Sequence, residues 1–248
     1  MKIDFVSDVS CPWCAIGLNA REQALARIGP QLQATLHFQP FELNPQMGPG
    51  GQDITEHLAQ KYGINAAQIA SNSAAIRQRG AEVGFDFGLG QRSRIYNTFN
   101  AHRLLHWAGL QGAAAGTDTG AGPDAGAGAQ GRLKHALLEA YFTHGQDPSD
   151  TAVLLAAAST AGLDASAAAA LLASDQFAAE VRAAEGFYQQ HGIQSVPAVI
   201  INDKHLISGG QPVAVFEQAL RQIAADVAAE HAAALAADRA DGPAGGAA

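Results

Sequence analysis

Cys11-Pro12-Trp13-Cys14 is the stretch of this chain whose residue types and spacing point most directly to covalent chemistry, and it holds the only two cysteines present. Two thiols three positions apart serve either as a dithiol–disulfide pair or as half of a metal site. Structural zinc takes four protein ligands and catalytic zinc three. No second cysteine pair exists to complete such a set, and the nine histidines show no ligand spacing beside an acid. The nearest candidates, His102 and His106, stand at i,i+4 and are expected to form the polar edge of an amphipathic helix. No metal is therefore expected, and the motif reads as a redox pair.

The surrounding elements decide which thiol does what. Lys2 to Ser7 alternates Ile3 and Phe5 with polar neighbours, the pattern of a strand. Beyond the motif, Ala15 to Ile28 carries Ile16, Leu18, Leu25 and Ile28 without proline, and Gly29-Pro30 stops it as a helix. The motif thus lies at a strand-to-helix junction. Pro12 falls in the first helical turn, where its missing N–H costs nothing. Unpaired N–H groups and the positive dipole end at a helix start favour thiolate over thiol at Cys11. Cys14, one turn on, is expected to face the protein. Cys11 is then the attacking nucleophile and Cys14 the resolving thiol. Trp13, between them, tunes the nucleophile and offers an apolar platform to a substrate.

The chain has 248 residues, 48% of them apolar, with 15 basic against 23 acidic side chains and a net charge of −8. It is long enough to bury a sizeable core, and too acidic to suit nucleic acid. No apolar run reaches the length of a membrane span. Acids stand near the N-terminus where a signal peptide would need its apolar stretch, so a cytoplasmic location is expected. A second strand is expected over Ala34 to Leu43, with Pro40 marking its end or an irregularity. Helices are expected over 57–62, 66–83, 93–107, 133–142, 151–161, 165–172 and 174–191. Residues 112–131 are rich in Gly and Ala with little to bury, and are expected to form a flexible loop. Pro197 to Ser208 reads as a hairpin turning at Asn202-Asp203, followed by a terminal helix from Pro212 to about Ala237. The organisation expected is an α/β domain of residues 1–50 and 190–238, a helical insertion of 51–189, and a frayed tail of 239–248.

In these motifs the sequence resembles the DsbA-like thioredoxin-fold family, in its FrnE-like branch. The likeness rests on Asp8-Val9-Ser10-Cys11-Pro12-Trp13-Cys14, Pro40-Phe41-Glu42-Leu43-Asn44-Pro45 and Asn97-Thr98-Phe99-Asn100-Ala101-His102-Arg103-Leu104. Late in the chain it continues in Gly192-Ile193-Gln194-Ser195-Val196-Pro197-Ala198 and Ile207-Ser208-Gly209-Gly210-Gln211-Pro212. The resemblance implies an α/β thioredoxin fold with a large all-helical insertion. It also implies that Pro197 is cis and faces the dithiol, and that Val196 meets the substrate through its main chain.

The activity implied is thiol–disulfide exchange on protein or small-molecule disulfides, with no cofactor beyond the dithiol itself. A chain with one cysteine pair has no second internal dithiol. Its partner is thus expected to be an external reductant, such as glutathione or a thioredoxin system. The alternative is a glutathione-dependent isomerase or transferase of the 2-hydroxychromene-2-carboxylate isomerase or kappa-class type. Those relatives typically carry Ser at the first position of the motif, where this chain has Cys11. Neither a membrane nor a nucleic acid is expected as a partner.

Overall fold

The computed structural model describes residues 1–115, 119–120 and 128–240. Lys2–Ser7 forms β1, and its period of two sorts side chains between the two faces of a sheet. Ile3 and Phe5 enter a core with Ile16, Leu18 and Leu25, whereas Val6 packs with Phe41, Tyr188 and Ile193. The helix that follows, α1, covers Pro12–Ile28 and ends at Gly29, whose φ of 73° suits glycine. β2, Ala34–Pro40, runs parallel to β1 with Lys2 opposite Thr35 and Ser7 opposite Pro40. Of the two readings of Pro40, the end of the strand is the one found, because Pro40 has no N–H to extend the ladder.

The middle of the chain contains β3 (Gln52–Asp53), α2 (Ile54–Tyr62), α3 (Ala66–Glu82), β4 (Arg94–Ile95) and α4 (Phe99–Ala115). Then come β5 (Thr119–Gly120), α5 (Gly128–Leu138), a π-helical turn over Glu139–Thr143, α6 (Thr151–Thr160), α7 (Ala165–Leu172) and α8 (Ala178–Gln190). This part is mostly helical but not wholly so. β3 and β4 pair antiparallel, and β5 pairs antiparallel with β2. The helix expected from Ser93 therefore begins only at Phe99, whose N–H donates to the Asn97 side chain at 2.9 Å. Likewise the helix expected from Ser174 starts at Ala178, after Phe177 takes a left-handed φ of 62°. Of the loop expected over 112–131, residues 112–115 belong to α4, 119–120 to β5 and 128–131 to α5; the remainder lies outside the described residues.

The chain then returns to the first sheet. β6 (Ala198–Ile201) lies antiparallel to β1, and β7 (His205–Ser208) antiparallel to β6. Asn202 and Asp203 join them with φ of 51° and 57°, the double left-handed turn that matches hairpin twist. The terminal helix α9, Val213–Ala240, packs against α1 and places Phe216, Leu220 and Ile223 in the core around Ile3 and Phe5. Residues 239–240, expected in the frayed tail, are its last two; 241–248 lie outside the described residues.

The main sheet has the order β5–β2–β1–β6–β7, a thioredoxin fold carrying a large and mainly helical insertion. A second core joins Leu104, Leu105 and Trp107 of α4 to Leu133 and Leu137 of α5, Leu154 of α6 and Leu171 of α7. Val9, from the turn between β1 and α1, belongs to this second core. The turn that carries the cysteines is thereby clamped between sheet and insertion. Among the described residues no helix is long and apolar enough to cross a membrane.

Candidate active site

Cys11 is the residue that caps the start of α1, in extended backbone (φ −93°, ψ 114°), with Pro12 as the first helical residue. Among the described residues no side chain caps this end, so the dipole of α1 acts on the Cys11 sulfur. Cys11 is 3% exposed and Cys14 fully buried. Burial pushes the Cys14 thiol well above its ordinary range, and the neighbouring Cys11 sulfur pushes the same way; only the Lys134 charge and a backbone contact oppose them. Trp13 stands 40% exposed beside the pair, and Pro12 is half-buried.

The open side of Cys11 is built mostly from main chain. The Val196–Pro197 bond is cis, and the Cys11 thiol donates to the Val196 carbonyl at 3.5 Å. The Pro197 carbonyl accepts the Gly209 N–H at 2.8 Å, tying this segment to the end of β7. Glycines let the pieces close up. A Cβ on Gly17 would lie 3.1 Å from the Pro197 ring, and one on Gly210 would lie 2.8 Å from the Trp13 carbonyl. Tyr62, at the end of α2, is near this side too; burial and the charge on Cys11 both push its phenol up.

Behind the motif lies a set of buried ionisable side chains. The Asp8 carboxylate accepts the Ser10 N–H at 3.1 Å, the Ser10 hydroxyl at 2.9 Å and the Leu43 N–H at 2.8 Å. His102 Nε2 is 3.5 Å from Asp8, an ion-pair separation without hydrogen-bond alignment. Burial works against the charge on Asp8, but His102 and the two N–H groups outweigh it and hold the carboxyl at about 2. His102 is therefore not the polar edge of α4. It is 2% exposed and turned toward Asp8, while only its neighbour His106 is partly open. Lys134 of α5 is wholly buried, and its Nζ has no hydrogen-bond partner among the described residues.

The structure thus brings together Cys11, Cys14, Pro12, Trp13, Val196 and Pro197. The cluster of Asp8, His102 and Lys134 was not singled out from the sequence as part of a site. A usable signal existed for Lys134. It stands three, four and seven residues before Leu137, Leu138 and Tyr141, on the buried stripe of its helix. Among the described residues no three side chains are grouped as metal ligands.

Comparison with known proteins agrees with this geometry. The family model of the DSBA-like thioredoxin domain matches residues 2–120 and 124–221. The chain belongs to that family. The probable DsbA oxidoreductase SCO1869 of Streptomyces coelicolor is 30% identical, with a TM-score of 0.77 over 90% of this chain and 89% of that one. Family and relative together make the chain an enzyme of the disulfide-oxidoreductase kind. Two further structures share the fold. A 2-hydroxychromene-2-carboxylate isomerase is 15% identical, with a TM-score of 0.63 over 92% of this chain and 98% of that one. The cytosolic disulfide reductase DsbM of Pseudomonas aeruginosa, with GSH, is 16% identical, with a TM-score of 0.55 over 89% and 100%. No curated protein matches the sequence.

Proposed function

We propose that the chain is a thiol–disulfide oxidoreductase in which Cys11 attacks and Cys14 resolves. The supporting observation is the asymmetry of the pair: Cys11 caps an open helix end against the Val196 carbonyl, and Cys14 is sealed behind it. The Cys11 thiolate attacks one sulfur of a substrate disulfide and expels the other as a thiolate. Cys14 then attacks the Cys11 sulfur, the internal disulfide forms and the second substrate thiol leaves. Val196 offers main-chain groups to an extended substrate, and Trp13 an apolar surface. The chain has no further cysteine, so an external thiol such as glutathione or a thioredoxin-type reductant closes the cycle. A cytoplasmic setting, where thiols are kept reduced, suits a reductase or isomerase direction.

The test is Cys14→Ser. Without the resolving thiol, intramolecular attack is lost, so reduction of a protein disulfide such as insulin should stop and Cys11 should accumulate in mixed disulfides. A glutathione-dependent isomerase would need only the first position of the motif. Wild-type protein inactive in disulfide exchange, with Cys14→Ser retaining a glutathione-dependent isomerisation, would overturn the proposal in favour of that chemistry.

A further inference from the structure

Arg79 stands in the last turn of α3, where the insertion meets the end of the chain that closes over the dithiol. Its Nη2 donates to the Gly210 carbonyl at 3.5 Å, and its Nη1 lies 3.6 Å from Glu82. Gly210 in turn presses on the cysteine turn. A Cβ there would lie 2.8 Å from the Trp13 carbonyl and 3.4 Å from the Trp13 ring. One glycine thus separates the guanidinium from the exposed residue between the two cysteines. The helical turn that carries Arg79 is fixed on both sides. Ile76, one turn earlier, packs against the core cluster that holds Cys11 and Cys14. Gly80, next in the chain, is buried, and its carbonyl accepts the Val83 and Phe85 N–H groups at 3.0 and 2.9 Å.

We infer that Arg79 makes the enzyme selective for disulfides that carry a carboxylate close to the sulfur. This rests on the dithiol reading above and names the class of substrate that the site takes. A guanidinium offers five N–H donors in a planar fork, which matches a carboxylate with two parallel bonds. The partners of Arg79 among the described residues use that fork poorly. Both stand at the long end of bonding distance, and Glu82 is half-exposed, so water screens the pair. An incoming carboxylate can displace Glu82, which then turns to solvent and is not stranded. Lys61, at the end of α2, is different. Its ammonium donates at 2.7 Å both to the Leu43 carbonyl and to the Asn44 side chain, and is already committed. The Arg79 side chain is 30% exposed and so within reach of a ligand. With a net charge of −8, the chain as a whole repels anions. A cation held at the rim of the dithiol reverses that locally, and its effect falls on the encounter with Cys11. Arg79 meets the carboxylate and not the reacting sulfurs, which makes it a specificity-determining residue.

Two aromatic disulfides that release coloured thiolates test this. Dithiobis(nitrobenzoate) carries a carboxylate on each ring, and dithiodipyridine is uncharged at neutral pH. The first release from each reports attack by Cys11. One half bonds to the Cys11 sulfur, the reagent's disulfide breaks, and the other half leaves with the electron pair. Arg79→Gln should slow attack on the carboxylated reagent about tenfold, and on the uncharged one less than about twofold. Arg79→Glu should widen the difference to about 100-fold. Arg79→Lys keeps the charge without the fork, so its rate on the carboxylated reagent should fall between wild type and Arg79→Gln. Equal slowing of both reagents by Arg79→Gln, or no slowing of either, would overturn the role of Arg79 and leave the dithiol reading intact. A wild-type protein that releases thiolate from neither reagent would overturn the dithiol reading, and this inference with it.

Discussion

The two faces of the Cys-Pro-Trp-Cys turn are built from different materials. Toward the open side, the Cys11 thiol meets the Val196 carbonyl, and Gly17, Gly210 and the Pro197 ring close up around the turn from α1 and the β6–β7 end of the chain. Behind it, Asp8, His102 and Lys134 form a buried group of ionisable side chains, two of them supplied by helices of the insertion. Main chain recognises extended substrates with little regard to sequence, whereas buried side-chain charge controls protons. The sheet therefore presents the dithiol, and the insertion sets the environment of its hidden half. An insertion of this size adds a rear wall that a bare strand–helix junction lacks.

The largest expected contrast is in thiol reactivity. A limiting amount of alkylating reagent near pH 6 should modify Cys11 at least about tenfold faster than Cys14, because the buried thiol stays protonated and out of reach. Peptide mapping after partial labelling reads the ratio. Equal labelling, or preference for Cys14, would erase the difference between the two faces.

Next in size is damage to the rear wall. Asp8→Ala removes the acceptor for three hydrogen bonds and leaves His102 buried without the carboxylate it faces. Breaking such a pair should cost about 3–5 kcal/mol of stability, read by chemical denaturation. Its pH signature has a fixed sign. The folded carboxyl lies below its ordinary 3.8, at about 2. The stabilisation is thus complete above pH 4 and is lost as pH falls toward 2, amounting to about 2 kcal/mol. Asp8→Asn should flatten stability in that window; an acid transition identical to wild type would show that Asp8 is not held as an anion.

The sheet side of this contrast was largely legible in the sequence, and the helical side was less so. Alternation in Lys2–Ser7, the proline after Cys11 and the Asn202-Asp203 turn are local signals, and each produced the element it pointed to. His102 was misread because i,i+4 polar spacing is silent about what packs against it. Its partner, Asp8, lies 94 positions away, by subtraction of the two residue numbers. The starts of α4 and α8 were missed for a related reason. Pairing of Arg94–Ile95 with Gln52–Asp53 and the left-handed Phe177 override helical propensity through tertiary context.

A smaller effect should separate glycines of the two regions. A Cβ at position 210 would press on the Trp13 carbonyl at 2.8 Å, and a backbone atom cannot step aside as a flexible side chain can. Gly210→Ala should cost about 1–3 kcal/mol and slow disulfide exchange by displacing the Trp13 turn. Gly186, inside α8, has nothing among the described residues within 4 Å of its would-be Cβ. Gly186→Ala should instead be neutral or stabilise by up to about 1 kcal/mol through helix propensity. Thermal and denaturant unfolding of both variants would check the pair, and a tolerated Gly210→Ala would mean that the front face is looser than its distances suggest.

The smallest effect concerns Trp13, which belongs to the motif but touches substrate only if the open face is a docking surface. Its ring is 40% exposed, so truncation removes little packing, and stability should change by less than about 0.5 kcal/mol. If an extended protein substrate pairs with Val196 as proposed, it also covers the indole, whereas a small disulfide would reach Cys11 without covering it. Trp13→Ala should therefore raise KM for a protein disulfide about threefold to tenfold, equivalent to about 1 kcal/mol of apolar contact, with kcat retained. Oxidised glutathione should be affected much less. Equal losses in kcat for both substrates would assign Trp13 to tuning the Cys11 sulfur, and the open face would then recognise extended substrates without the indole.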